Sequence, residues 1–251
     1  MTQSLTAPPS PAAKLHRAAA GVPPLENGDR LDAAEFRRRY EAMGPGVRAE
    51  LVGGIVYVDM ASPVKLRRHG KPLARVLGVI IAYEARTPGI EYGTDSTTRL
   101  DEDNEYQPDA FVFLPEAAGG RARIDADDYI DGAPELVIEV ANSSVNIDMN
   151  DKFEAYRRVG VREYVVWRVA ERAIDLFALD GDRYRRQEPD DGVLKSGVFP
   201  GLWLDVAAML QERTADVLDT LGRGIEAEKE AHAALVERLR EASSREPDAA
   251  T

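Results

Sequence analysis

The chain contains no cysteine. Disulfides and cysteine-ligated metals are therefore excluded. Histidine is scarce, with three in 251 residues, so a His-rich metal site is not expected. Any metal must then rest on carboxylates, which favour hard ions such as Mg²⁺ or Mn²⁺. Positive charge is in short supply. The 32 Lys and Arg are outnumbered by 44 Asp and Glu, for a net charge of −12. That argues against loose adhesion to nucleic acid, which depends on neutralising phosphates, but leaves room for a local basic groove. Long apolar runs are also missing. None approaches the roughly 20 residues of a membrane-spanning helix, and the N-terminal stretch lacks the apolar core of a signal peptide. The expectation is a soluble, cytoplasmic protein without membrane contact, built as one domain plus appendages.

What is present centres on residues 133–167. Leu136-Val137-Ile138, Glu139 and Val140-Ala141 read as a strand buried on both faces. An unpaired charge in such a strand is poorly tolerated, so Glu139 should meet a cation, a donor cluster or a water-filled cleft. Asn142-Ser143-Ser144 read as a polar loop, and Asp148 as the N-cap of a helix running to about Val159. Gly160 suits the helix C′ position, and Val161 to Val169 reads as the next strand. This strand–loop–helix–strand unit carries Glu139 and Lys152 toward one end of a sheet.

Residues 1–30, rich in Ala, Pro and Ser, read as a disordered arm. Asp32 with Glu35 forms a capping box, and Leu31 with Phe36 a hydrophobic staple, for a helix ending near Gly44. The apolar runs around Gly53-Gly54 predict a hairpin. Ser62-Pro63 opens a helix over about Lys65 to Arg86, whose first half carries Lys65, Arg67, Arg68, His69 and Lys71, the densest basic cluster in the chain. That cluster reads either as a solvated helix start or, since the helix dipole disfavours cations there, as a phosphate-facing surface. Tyr92–Leu100 and Tyr106–Leu114 read as strands, residues 115–131 as a surface loop, and Ala173–Ala178 with Arg183–Gln187 as a hairpin. From about Asp205 to Ala242 the chain reads as one long helix. Leu218, Leu221, Ile225, Glu228, His232, Leu235 and Leu239 form a seam that would pack on its own domain or pair in a dimer. There is no internal repeat.

Three residues belong together chemically. Asp109 heads one apolar strand, Glu139 interrupts another, and Lys152 opens the following helix. Two carboxylates on adjacent strands can share a divalent cation, and a neighbouring lysine can orient and help deprotonate an attacking water. Each also has a plainer reading. Asp109 after Pro108 could cap a turn, Glu139 could pair with a buried arginine, and Lys152 could be an exposed helix residue.

Pro108-Asp109, the run Pro134 to Val140, Asn142-Ser143-Ser144, Asp148, Lys152, Tyr156 and the run Gly160 to Tyr164 closely resemble the Uma-type restriction endonuclease family of the PD-(D/E)XK nuclease superfamily. Glu50-Leu51-Val52-Gly53-Gly54 resembles its Glu-containing hairpin, and Ser62-Pro63 with His69 resembles its helix start. The resemblance covers about residues 30 to 205. It implies a restriction-endonuclease-like mixed sheet flanked by helices, an α/β (α+β) fold, and a metal-dependent DNA-cleaving centre. Asp109, Glu139 and Glu50 would hold Mg²⁺ or Mn²⁺. The superfamily lysine usually follows the glutamate by two residues, where this chain has Ala141, and Lys152 would replace it. His69, Arg68 and Lys65 would contact the substrate. Arg168 stands where the family often has Asp, and Gln107 where it often has Arg.

The expected organisation is an arm over 1–30, a nuclease-like domain over 31–205 and a helical extension over 206–251. The expected function is endonucleolytic hydrolysis of DNA phosphodiesters by a homodimer. A catalytically silent binding or regulatory module on the same fold is the alternative, since fold does not fix function.

Overall fold

The described residues of the computed structural model are 21–44, 47–60, 65–141 and 147–245. Ser62-Pro63, Asn142-Ser143-Ser144 and most of the expected N-terminal arm lie outside them. The arm's last residues are packed: Leu25 is buried, and Arg30 forms a bridge with Ile55.

Helix α1 (Ala33–Ala42) starts where the capping pattern requires, with the Asp32 side chain accepting from Glu35 N. Leu31 and Phe36 share one small core. Strands β1 (Val47–Val52) and β2 (Ile55–Met60) pair antiparallel around Gly53-Gly54. Both glycines have positive φ, 59° and 75°, as a two-residue primed turn demands.

The long basic helix opens differently from expectation. A wide, π-helical turn, Leu66–Gly70, precedes helix α2 (Lys71–Glu84). The two strands expected over 92–114 are each divided. Strands β3 (Glu91–Gly93) and β4 (Thr98–Asp101) are separated by a segment in which Asp95 takes φ 50°. Strands β5 (Asn104–Tyr106) and β6 (Ala110–Phe113) are separated by Gln107-Pro108-Asp109, since Pro108 has no N–H to continue a ladder. The expected loop over 115–131 instead contains a 3₁₀ turn (Glu116–Ala118) and strands β7 (Ala122–Ile124) and β8 (Ile130–Gly132). These strands are too short to display alternation, but Ala122 and Ile130 are buried.

Strand β9 (Leu136–Ala141) is followed by a second wide turn, Ile147–Asp151, and by helix α3 (Lys152–Val159). The helix is thus preceded by an extra turn rather than opening at Asp148. Gly160 ends it at φ 85°. The Arg121 guanidinium donates to the carbonyls of Gly160 and Val159, at 2.7 and 3.0 Å, satisfying the last acceptors. Strands β10 (Glu163–Arg168), β11 (Ala173–Asp180), β12 (Arg183–Gln187), β13 (Val193–Lys195) and β14 (Trp203–Asp205) follow.

Two six-stranded sheets result, ordered β2-β1-β5-β4-β8-β7 and β12-β11-β10-β9-β6-β3. The chain passes between the two more than once, and at Gln107-Pro108-Asp109 it goes from β5 in the first to β6 in the second. In the second sheet β9 and β10 run parallel and the other pairs antiparallel. Its two faces separate by residue parity. Leu136 and Ile138 pack with α2 and the C-terminal helices. Val137 and Ala141 pack with α3 and with the first sheet, through Tyr156, Tyr106 and Val52. Glu139 shares the parity of Val137 and so faces α3.

The expected single C-terminal helix is three: α4 (Val206–Leu210), α5 (Thr214–Ala227) and α6 (Lys229–Ser243). The polar seam positions explain its packing. Glu228, at the break, accepts from Gly201 N and Trp203 Nε1 at 2.9 and 2.8 Å. His232 is buried and lies 2.8 Å from Thr87 Oγ1. Leu221, Leu235 and Leu239 enter the main core, so the seam packs on its own domain. Among the described residues no helix is long and apolar enough to cross a membrane.

Candidate active site

Four side chains from four parts of the chain meet between the sheets. Glu50 comes from β1, Asp109 from the crossover, Glu139 from β9 and Lys152 from the first turn of α3. The Lys152 ammonium lies 3.0 Å from Glu50 Oε2, 3.2 Å from Glu139 Oε1 and 4.0 Å from Asp148 Oδ1. It is only 5% exposed, which excludes the reading of an ordinary surface lysine. Burial by itself would lower its pKa, but Glu139, Glu50 and Asp148 outweigh that effect and leave it raised. The surrounding carboxylates thus favour the charged ammonium, which departs from the expectation of a lysine that helps to deprotonate a water.

Glu139 Oε1 also accepts from Tyr156 OH at 3.1 Å. Its other oxygen lies toward the Asp109 backbone N–H, at 3.4 Å. Asp109 Oδ2 accepts from Val140 N at 2.7 Å, and its Oδ1 is 3.4 Å from His69 Nε2. Asp109 is nearly buried. Burial first, and then the neighbouring Glu139 charge, push its carboxyl above the ordinary carboxylate range. Within the pair Glu139 has Lys152 as its cation, whereas Asp109 has the Val140 N–H and, at 3.4 Å, His69, and is the member short of positive charge.

This shortage is the observation against which a metal can be tested. Among the described residues no three His, Cys, Asp or Glu side chains are disposed to ligate one ion, because Lys152 lies between Glu50 and Glu139. A Mg²⁺-type ion, however, needs only one or two carboxylates, with water and substrate oxygens completing its shell. Asp109 and Glu139 fit that requirement.

The wide turns serve the site. The first carries His69 to Asp109, while Lys65, just before that turn, and Arg68 on it are solvent-exposed. The second sets the start of α3 so that Lys152 and Tyr156, four residues apart on one face, both reach Glu139. A cavity of about 450 Å³ lined by Asp32, Arg37, Arg99 and Glu102 involves none of these groups.

Three contributors were not assigned a role from sequence. Tyr156 could have been found from its i+4 relation to Lys152. Arg48, two residues before Glu50 on β1, could have been found from strand parity. Its guanidinium donates to Gln107 O at 2.5 Å and lies 3.9 Å from Glu50 Oε1. Gln107 is itself wired into the site, since its N–H donates to Glu50 Oε1 at 2.9 Å. Asp148, expected as a cap, is instead buried beside Lys152. Arg168 lies at the end of β10 and donates to Asp175 at 2.7 Å.

The architecture matches a solved crystal structure of a putative nuclease belonging to DUF820 from Anabaena variabilis ATCC 29413. The TM-score is 0.51 at 13% identity, over 76% of this chain and 99% of that one. The class is therefore a mixed α+β fold, with mixed sheets flanked by helices, shared with that protein. The profile of Uma2, described as putative restriction endonuclease, matches residues 33–207, and the chain belongs to that family. A search of curated proteins finds no match.

Proposed function

We propose that this protein is a Mg²⁺- or Mn²⁺-dependent endonuclease that hydrolyses phosphodiester bonds of DNA. The observation that carries the reading is the convergence on Glu139: the Asp109 backbone on one side, the Lys152 ammonium and Tyr156 hydroxyl on the other. Asp109 and Glu139 would hold the ion, while Glu50, expected as a third carboxylate ligand, is instead turned to Lys152 and the Gln107 N–H. When bound, such an ion would neutralise charge building on the scissile phosphate and acidify a nearby water.

The chain's own residues have separable tasks. Lys152, held charged between Glu139 and Glu50, orients the attacking water and offsets negative charge without accepting its proton. Tyr156 fixes the Glu139 carboxylate. His69 braces Asp109 and is within reach of a substrate phosphate, while exposed Lys65 and Arg68 offer the DNA backbone a cationic approach. The reading assigns catalysis to residues 31–205 and leaves 206–251 as a helical extension. Cutting both strands calls for a homodimer, which light scattering tests.

A catalytically silent module is the second reading. It is favoured by Lys152, whose charge already satisfies Glu50 and Glu139. Plasmid cleavage with Mn²⁺, with EDTA, and by Lys152→Ala separates the two. Cleavage abolished by chelator and by the substitution supports the enzyme. Mn²⁺ binding by calorimetry with no cleavage under any condition rejects it.

A further inference from the structure

Arg48 is the second cation at the acid cluster, and its setting differs from that of Lys152. One guanidinium nitrogen donates to the Gln107 carbonyl at 2.5 Å, and the other to Asp95 Oδ1 at 2.8 Å. Asp95 is itself pinned, its N–H donating to Pro108 O at 2.9 Å, with its backbone in the left-handed region. Arg48 is thus clamped against the segment that presents Asp109, while its side chain stays 35% exposed. Lys152 is buried and spent on carboxylates; Arg48 is held at the rim with donors left over. A guanidinium has five N–H donors in a rigid fork matched to phosphate oxygens, and two of its bonds here go to Gln107 and Asp95.

Resting on the nuclease reading, we propose that Arg48 is a substrate-binding residue that grips a DNA backbone phosphate at the mouth of the acid cluster, with Asp95 as its positioning residue. Its surroundings supply the reason. Four carboxylates, Glu50, Asp95, Asp109 and Glu139, would repel a polyanion, and a preorganised cation at their edge offsets that repulsion where the strand must enter. The same four carboxylates outweigh the effect of burial and hold the guanidinium charged. Bracing Gln107 uses one nitrogen and pairing with Asp95 another, which leaves further N–H donors of the fork for a phosphate.

The test is fluorescence anisotropy of a labelled duplex of about 20 base pairs with the full-length protein, Ca²⁺ replacing Mn²⁺, across a series of NaCl concentrations. One phosphate contact contributes a slope of about 0.9 in log K against log salt. Arg48→Gln is expected to weaken binding about tenfold at low salt and make the slope shallower by about 1. Arg48→Lys should keep the slope and recover part of the affinity, which serves if the Gln variant does not fold. Asp95→Asn should weaken binding with the slope retained. Arg48→Gln and Arg48→Lys both binding with the wild-type affinity and slope would overturn the proposal while leaving the nuclease reading intact. Wild-type protein with no salt-dependent affinity for duplex would instead remove the nuclease reading, and this proposal with it.

Discussion

Lys152 and Tyr156, one turn apart on α3, donate to the same oxygen of Glu139, at 3.2 and 3.1 Å. That oxygen is saturated by the helix, whereas the second accepts a single longer bond, 3.4 Å, from the Asp109 N–H, and under the proposed function it is the one that would serve an ion. The division of labour within one carboxylate makes distinct demands on each partner.

Lys152 carries the larger burden. Replacing it with Ala leaves Glu139 and Glu50 buried without their cation, and breaking a buried pair in this way costs about 3–5 kcal/mol. We expect the Lys152→Ala protein to melt well below wild type and to show no cleavage. A denaturant melt within about 1 kcal/mol of wild type would contradict the role of the ammonium as a structural charge.

Tyr156→Phe is a milder change. It removes one donor from a charged acceptor that keeps Lys152, a loss of about 1.5–3 kcal/mol. Single-turnover cleavage should slow by about tenfold with KM held, because the substitution loosens the carboxylate and touches no substrate. A rise in KM at unchanged kcat would place Tyr156 at the substrate instead.

The two acids should differ from Glu50 in their effect on the metal. Asp109→Asn and Glu139→Ala are expected to abolish Mn²⁺ binding measured by calorimetry. Glu50→Gln should weaken it less, since Glu50 is occupied by Lys152 and Gln107 N–H. Unchanged Mn²⁺ affinity in Glu139→Ala would remove this carboxylate from the ion.

His232 gives stability a pH dependence. Burial, with a smaller contribution from Arg86, lowers its pKa below 6.5. The unfolded chain therefore binds this proton more readily, so the stabilisation is complete above that value and is lost as pH falls through it. Burial raises Glu105, Glu135 and Glu163. Their contribution has the opposite sign, fading as pH rises above the ordinary carboxylate range, so the comparison must be between proteins. Between about pH 7.5 and about pH 5.5 the wild-type melting temperature should fall more steeply than that of His232→Gln. Parallel curves would show that His232 does not titrate on unfolding.

The parts of the fold legible in the sequence were those with local causes. Asp32 and Glu35 announced α1, paired glycines the first hairpin, and Gly160 the end of α3. The buried run around Glu139 announced β9 and the need for a cation beside it. What could not be read arose from tertiary partners. Pro108 signalled a break, but not that the chain changes sheets there. Ala122 and Ile130 are buried by contacts distant in sequence. The C-terminal helix reads as continuous until Trp203 and Gly201 are seen to draw Glu228 inward. Asp148 has the identity of a cap, yet its burial beside Lys152 follows from the wide turn it occupies. Arg48 lies outside the most informative stretch, and its place at the site depends on how β1 aligns with the crossover.

The acids are divided between two sheets, Glu50 on one and Glu139 on the other, with Asp109 on the crossover at Gln107-Pro108-Asp109. Neither sheet carries all of the cluster, so under the proposed function competence would exist only while the two remain docked. Gentle heating that lets them part, without melting either, would silence the protein while its circular dichroism stayed native.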